Sequence, residues 1–309
     1  MALSFETVAE GLGFPEGPVA MADGSLLFVE IEKQTLSRSG PGGRVDIVAQ
    51  IPGGPNGAAI GPDGAAYVCN NGGVYSFVDY KPGVRIPGPR PSTHHGGSVQ
   101  RVDLATGEVT LLYDSYKGKR LIAPDDLVFD TAGGFWFTDS AYQDDDSIVK
   151  GALYYATIDG KLIVKAATIP TPNGVGLSPD GVTVYVSDTF FGRLWAFDIV
   201  DAVKGLVKPG PLPPVTPGRV IATLPGFQWV DSLKVEAGGR VSVGTLFSGG
   251  ITVFSPDGHT EHIEVPDLFT TNLCFGGEDM QDVFITASST GKILKTRWPR
   301  PGLRLAFNT

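Results

Sequence analysis

The chain has 309 residues, 42% of them hydrophobic, with a formal net charge of −9 and a pI near 4.9. That length and apolar share support a sizeable core, while the negative charge repels phosphate backbones and anionic lipid surfaces at long range, so neither nucleic acid nor membrane is an expected partner. The start at Met1 has no basic segment leading into an apolar one, and no run of about 18 apolar residues occurs, so the expectation is a soluble cytoplasmic protein. Two cysteines, Cys69 and Cys274, give no disulfide framework and are weak nucleophile candidates.

In chain order, the apolar segments are short and rich in aromatic and β-branched residues, and each follows a turn signal. Leu27-Phe28-Val29 follows Asp23, Ala66-Tyr67-Val68 follows Asp63, and Phe135-Trp136-Phe137 follows Ala132. Val184-Tyr185-Val186 follows Asp180, Val241-Ser242-Val243 follows Gly238, and Val283-Phe284-Ile285 follows Asp279. Seven positions before each of these turns stands an acid or amide: Glu16, Asn56, Asp125, Asn173, Asp231 and Asn272. Successive members lie between 40 residues apart (Glu16 to Asn56) and 69 residues apart (Asn56 to Asp125), near the period of a four-stranded propeller blade. The expected fold is all-β, a six-bladed β-propeller forming a single domain over 1–309. Two excursions interrupt the blades, at 79–97, where a lid can arise, and at 203–218. Alternating segments near both ends, Phe5-Glu6-Thr7-Val8 and Leu303-Arg304-Leu305, are candidates for completing the last blade.

In a propeller the inner strands run the same way along a central channel, so residues at one phase of the repeat gather at one mouth. The six oxygen-bearing side chains are therefore expected around one axis. Pro-Asn-Gly and Pro-Asp segments also make ordinary turns, and that reading stays open, although turn signals already stand seven residues later. Carboxylates and amides suit a hard cation, Ca²⁺ above all. The four histidines show no spacing for a His-rich zinc site. Two aspartates and one glutamate in one channel repel each other unless a cation, or hydrogen bonds from loop amides, offsets the charge.

On these residues the sequence resembles the gluconolactonase, senescence marker protein and luciferin-regenerating enzyme family of calcium-dependent propeller hydrolases. The likeness runs over nearly the full chain through Phe14-Pro15-Glu16-Gly17-Pro18, Ala123-Pro124-Asp125-Asp126-Leu127, Thr171-Pro172-Asn173-Gly174-Val175 and Trp229-Val230-Asp231-Ser232. The resemblance implies that Glu16, Asn173 and Asp231 hold one divalent cation, Ca²⁺ first, with Mn²⁺, Fe²⁺ and Zn²⁺ left open. It places Asp125 where the family usually has an asparagine beside the metal or substrate, which leaves Asp125 as metal ligand, base or substrate contact. Asp126 should point away from Asp125. Ala123 stands where sugar-lactone members can carry an arginine, with Arg120 nearby as a substitute.

The expected chemistry is metal-assisted hydrolysis of a small-molecule lactone or ester, with Asp231 as the carboxylate that activates water and Asp125 as second choice. Asn56, Trp229, His94 and His95 are the expected substrate contacts. Phe190 and Phe191 are further aromatic candidates, against the alternative that such rings only pack. His94 and His95 have the alternative of being solvent-facing loop residues, and His259 and His262 are expected on an outer hairpin. Two other readings remain: an organophosphorus ester hydrolase on the same metal, and a non-catalytic ligand-binding propeller. No G-x-S-x-G elbow supports a serine hydrolase.

Overall fold

In a computed structural model of the chain, residues 3–40, 42–144, 147–212 and 217–307 are described, and they form six antiparallel sheets of four or five strands around a central channel. The innermost strands are Pro15–Ala20, Pro55–Ile60, Pro124–Phe129, Pro172–Leu177, Trp229–Val235 and Thr270–Gly276. Each packs against the inner strands of both neighbouring blades, and the sixth packs on the first, so the ring is closed. Six apolar clusters fill the six blade-to-blade interfaces, one of them built on Tyr67, Phe129, Phe135 and Phe137 between blades 2 and 3. The aromatic second strands seen in the sequence are thus wedges between sheets. A helix long and apolar enough to cross a membrane is absent among the described residues.

The N-terminal segment closes the ring. Glu6–Glu10 pairs antiparallel with Lys292–Arg297 as the outermost strand of blade 6. The C-terminal segment does not join a blade as a strand. Instead, Leu303 and Leu305 line a void of about 40 Å³ in the far half of the channel, and Phe307 meets Phe129 edge-on at 5.8 Å. The excursion within blade 2, between its second strand Ala66–Asn70 and its third strand Ser98–Val102, folds as a hairpin, Phe77–Lys81 with Val84–Pro87. The excursion at 203–218 adds a short strand, Leu206–Val207, to the outer part of blade 4, and its residues 213–216 lie outside the described ones.

Near the start of every inner strand the register breaks. In blades 2 to 5 two consecutive residues face one partner: 56–57, 125–126, 173–174 and 231–232. Blade 1 breaks at 17–18 and blade 6 at Thr271. These are β-bulges, which re-aim a side chain that a regular strand would send to one face. The Pro-Asn-Gly and Pro-Glu-Gly segments therefore sit inside strands and are not hairpin turns. Glycine follows the acid or amide at 57 and 174 because the next blade leaves no room: a Cβ at Gly57 would lie 2.5 Å from the Asp125 carbonyl, and one at Gly174 would lie 2.4 Å from the Leu233 nitrogen.

Hydroxyls stitch these bulges together around the ring. Ser187 Oγ accepts from the Gly174 N–H of its own blade at 2.8 Å and donates to the Asp231 carbonyl of the next at 2.6 Å. Thr138 likewise accepts from Asp126 N–H and donates to the Asn173 carbonyl, and Ser288 donates to the Pro15 carbonyl at 2.6 Å. In blades 1 to 4 a second set of buried groups, at the end of the second strand, holds the loop leading into the inner strand. Glu30 accepts from Gly13 N–H, Asn70 from Gly54 N–H, and Asp139 from Ile122 and Ala123 N–H. Asp188 accepts from Thr171 N–H, Thr171 Oγ1 and Trp195 Nε1, at 2.9, 2.6 and 3.0 Å.

Truncating Asp188 would orphan three buried donors. The Asp188→Ala variant is expected to lose about 3 kcal/mol or more of stability, read as a lower denaturation midpoint, and Asp188→Asn should lose less because one oxygen acceptor remains.

Candidate active site

The bulges deliver six side chains, one from each blade, to the lining of one cavity of about 620 Å³: Glu16, Asn56, Asp125, Asn173, Asp231 and Thr271. Five are the residues picked out by phase. The sixth is a correction, because Thr271 and not Asn272 lines the cavity. Asn272 occupies the second bulge position, equivalent to Asp126: its N–H donates to Thr286 Oγ1 at 2.8 Å just as Asp126 N–H donates to Thr138 Oγ1. The inner strand of blade 6 carries one more residue between bulge and hairpin than that of blade 5, so counting back from the turn lands one position late, and a one-residue slip in a strand reverses its face.

The cavity floor is anionic and only partly satisfied. Glu16 is buried; its Oε2 accepts from Gly17 N–H at 2.6 Å and from Asn272 Nδ2 at 2.7 Å, while Oε1 has no hydrogen-bond partner. Burial pushes the Glu16 carboxyl up to about 7, with those donors pulling the other way. Asp125 is also buried with its Oδ1 unpartnered, and burial, then Asp231 and Glu16, hold its carboxyl well above the usual range. Asp231 is raised by burial and by Glu16, against the pull of Asn173 and of the Ser232 N–H, which donates to its Oδ1 at 3.0 Å. Asn173 is held from the other side, its Oδ1 accepting from Ser232 Oγ at 3.3 Å.

Beneath this floor lies a layer that sequence reasoning did not single out. Lys234 Nζ stands 3.4 Å from Asp126 Oδ2, 3.3 Å from Asn272 Oδ1 and 3.0 Å from the Leu233 carbonyl. Asp126 does point away from Asp125, as expected, and burial raises its carboxyl while Lys234 draws it back. Lys234 also orients Asn272, because an amide whose oxygen faces an ammonium must turn its nitrogen outward, here to Glu16. No periodic signal marks Lys234; only its position on the axis makes it matter.

The other expected site residues divide. Trp229 and Phe190 line the cavity with their rings 4.6 Å apart, whereas Phe191 is exposed and lies outside the lining. His94 does not line the cavity. It is buried, and its Nε2 sits 3.1 Å from the Asn71 carbonyl and 3.0 Å from the Ile122 carbonyl, bridging the loops of blades 2 and 3, while desolvation lowers its pKa. His95 is exposed and also outside the lining, as is Arg120, so neither supplies the contact assigned to it from sequence. His259 and His262 are exposed on the outer hairpin of blade 5. Both cysteines are buried, and burial drives the thiol of Cys274 up to about 12 and that of Cys69 well up, which disarms them as nucleophiles.

Several further lining residues were not singled out individually by the sequence. Ile86, Pro87 and Arg90 come from the blade 2 excursion, as a lid would, and Tyr142 and Gln143 come from a second hairpin, Tyr142–Asp144 with Ser147–Val149. Tyr75 lines the cavity too, and burial together with Asp125 and Asp231 raises its phenol, keeping it protonated beside the acids.

Residues 14–289 match the model of the SMP-30/Gluconolactonase/LRE-like region. The chain belongs to this family. A gluconolactonase of Zymomonas mobilis is 27% identical over 94% of this chain and 81% of its own length. Among solved structures, a gluconolactonase of Xanthomonas campestris superposes with a TM-score of 0.74 at 24% identity, covering 96% of this chain and 90% of that one. Regucalcin of Agrobacterium tumefaciens, a calcium-binding protein, superposes with a TM-score of 0.70 at 20% identity and 99% coverage of both chains. At these identities the superpositions establish the propeller fold that the family shares.

The donor set fits a hard cation: two carboxylate oxygens, on Glu16 and Asp125, are buried without a partner, and an amide and a third acid stand beside them. Among the described residues no three Asp, Glu, His or Cys side chains draw together into a metal cage of their own, so the amide of Asn173 and solvent would have to complete the shell. Without a cation the acids must keep protons. Glu16 titrates near 4.5 when unfolded and at about 7 when folded, so between those values the folded state holds a proton that the unfolded state has lost. The contribution of Glu16 to the stability of metal-free protein is therefore expected to fall as pH rises from about 4.5 to about 7, and Glu16→Gln should remove that part of the slope in chelator-treated melts.

Proposed function

We propose that this chain is a divalent-cation-dependent lactone hydrolase. The observation that carries the reading is the convergence of Glu16, Asp125, Asn173 and Asp231 on one cavity floor with two buried carboxylate oxygens left unpartnered. Relatives named gluconolactonase support the reaction class. Glu16, Asn173 and Asp231 would hold the cation, with Asp125 as fourth oxygen donor or as neighbouring base, and Ca²⁺ is favoured by an all-oxygen set. When bound, the cation would polarise the lactone carbonyl and stabilise negative charge on its oxygen.

The protein's own groups account for the rest. Asp231 takes the proton of the attacking water as its oxygen bonds to the carbonyl carbon, and Asp125 is the second candidate for that role. Tyr75, held protonated at the edge of the floor, donates a hydrogen bond to the ring oxygen as the carbon–oxygen bond breaks, and the proton taken up by Asp231 passes to that oxygen, so that a hydroxy acid leaves. Asn56 positions substrate from blade 2. The cavity walls keep bulk water from the floor, which strengthens each of these polar contacts. The ring is the whole protein's work in this reading, one propeller domain whose six blades each contribute one lining side chain.

The deciding measurement joins metal content by mass spectrometry to hydrolysis of a lactone panel, with a phosphotriester as control. One divalent ion per chain, lactone turnover lost on chelation and restored by Ca²⁺, and a higher melting temperature with the ion would support the proposal. An ion at a hundred times its dissociation constant should add about 2.7 kcal/mol. Turnover of the phosphotriester alone would shift the reaction class, and the absence of any metal response would leave a ligand-binding propeller. Asp231→Asn is expected to fold and to lose at least about 100-fold in kcat; a variant that keeps wild-type turnover would refute the assignment. Tyr75→Phe should lower kcat by about 10-fold or more with little change in KM, because the donated hydrogen bond strengthens only as the leaving oxygen gains charge.

A further inference from the structure

Above the anionic floor the cavity changes character on one side. Phe190, Trp229, Phe247, Phe269 and Phe14, from blades 4, 5, 6 and 1, form a continuous run of rings with successive centroids 4.6, 5.1, 5.4 and 6.2 Å apart. All five line the cavity. Two observations separate this wall from ordinary core packing. Phe14 and Phe247 both sit in the left-handed backbone region, at φ of 55° and 67°. A bulky side chain occupies that region only at a cost of about 1–2 kcal/mol, and such outliers gather where a side chain must be aimed at a ligand. The second observation is exposure: Phe247 is 37% exposed, and its neighbour Phe227, 5.5 Å away, is 74% exposed, so apolar rings are held open at the mouth.

Beside this wall Thr189 Oγ1 is buried without a partner and could meet one substrate hydroxyl, whereas its polar neighbours are committed. Thr171 Oγ1 donates to Asp188 and accepts from Phe190 N–H, and His94 is locked between two carbonyls outside the lining. A polyhydroxylated sugar lactone would bring several hydroxyls to a wall that offers rings, and each hydroxyl stripped of water without a partner costs affinity. An aryl or alkyl group loses nothing there. The volume, about 620 Å³, is of the size that houses a drug-sized ligand and exceeds the need of a bare five- or six-membered ring.

We infer that the substrate is a lactone carrying an alkyl or aryl substituent, its ester on the carboxylate floor and its apolar part on the wall of Phe14, Trp229 and Phe247. This rests on the lactonase reading for the ester and on the wall for the substituent, and the two can be tested apart. Turnover is measured on γ-lactones with side chains of increasing length, on a benzo-fused lactone and on glucono-δ-lactone, while calorimetry follows binding of the matching γ-lactams, which resist hydrolysis. The expected result is a rise in kcat/KM and in lactam affinity of about threefold to fourfold per methylene until the wall is covered, with glucono-δ-lactone the poorest substrate and Phe247→Ala flattening the slope. If no lactone is hydrolysed yet lactam affinity climbs with chain length, the lactonase reading falls and the apolar subsite stands. Lactam affinity that does not change with chain length, no lactam binding, or a preference for glucono-δ-lactone would overturn the inference.

Discussion

Three carboxyl groups, from Glu16, Asp125 and Asp231, share one end of a buried channel, and the rest of the site is arranged around the cost of that proximity. Like charges in a desolvated place raise one another's pKa, and proteins relieve the strain with protons, cations or hydrogen-bond donors. This chain supplies donors to only some of the oxygens. Gly17 and Asn272 satisfy one oxygen of Glu16 and Ser232 N–H satisfies one of Asp231, while Glu16 Oε1 and Asp125 Oδ1 stay buried without a partner. Lys234 approaches from below, but it is engaged by Asp126 and Asn272 and acts on the floor through the amide of Asn272.

That arrangement requires rigid placement, and the ring provides it by repetition. A bulge in each inner strand aims one side chain at the mouth; the residue after it is glycine in blades 1, 2 and 4, and in blades 3 and 6 it is Asp126 and Asn272, which meet Lys234 on the axis. Thr138, Ser187 and Ser288 bridge blades 3, 4 and 6 to the following blade, so a shift in one of these inner strands is felt by its neighbour. Buried acids at the ends of the second strands fix the approach loops by accepting their N–H groups, which would otherwise be orphaned. The N-terminal strand in blade 6 fastens the circle, and the C-terminal segment covers the far half of the channel, leaving the cavity open on the side of the excursions.

The contrast between floor and walls gives the cavity its division of labour. The carboxyls and amides of the floor come from the inner strands, each packed between two neighbours. Apart from Trp229, which opens an inner strand, the walls come largely from loops and hairpins, the parts of a scaffold that can change without disturbing its core. The histidines drawn to attention by their scarcity belong to neither: His94 serves as a clamp between loops, and its side chain contacts the ring of Tyr142 from behind, centroids 6.3 Å apart.

The sequence alone determined the six-blade repeat and five of the six lining positions, because a β-strand's two-residue period and a hairpin's turn chemistry are local, and equal phase in each blade means equal height on the axis. It also carried, unread, the hydroxyl that follows the apolar triplet in blades 3, 4 and 6, at Thr138, Ser187 and Thr286, and the acid or amide that ends the second strand in blades 1 to 4, at Glu30, Asn70, Asp139 and Asp188. The sixth lining position was decided in three dimensions, since an extra residue between bulge and hairpin in blade 6 moves Thr271 to the mouth and Asn272 to the axis. So were the roles of Lys234, Tyr75 and the aromatic wall. Their partners lie in other blades, far off in the chain, and no period in the sequence records which side chains a closed ring will bring face to face.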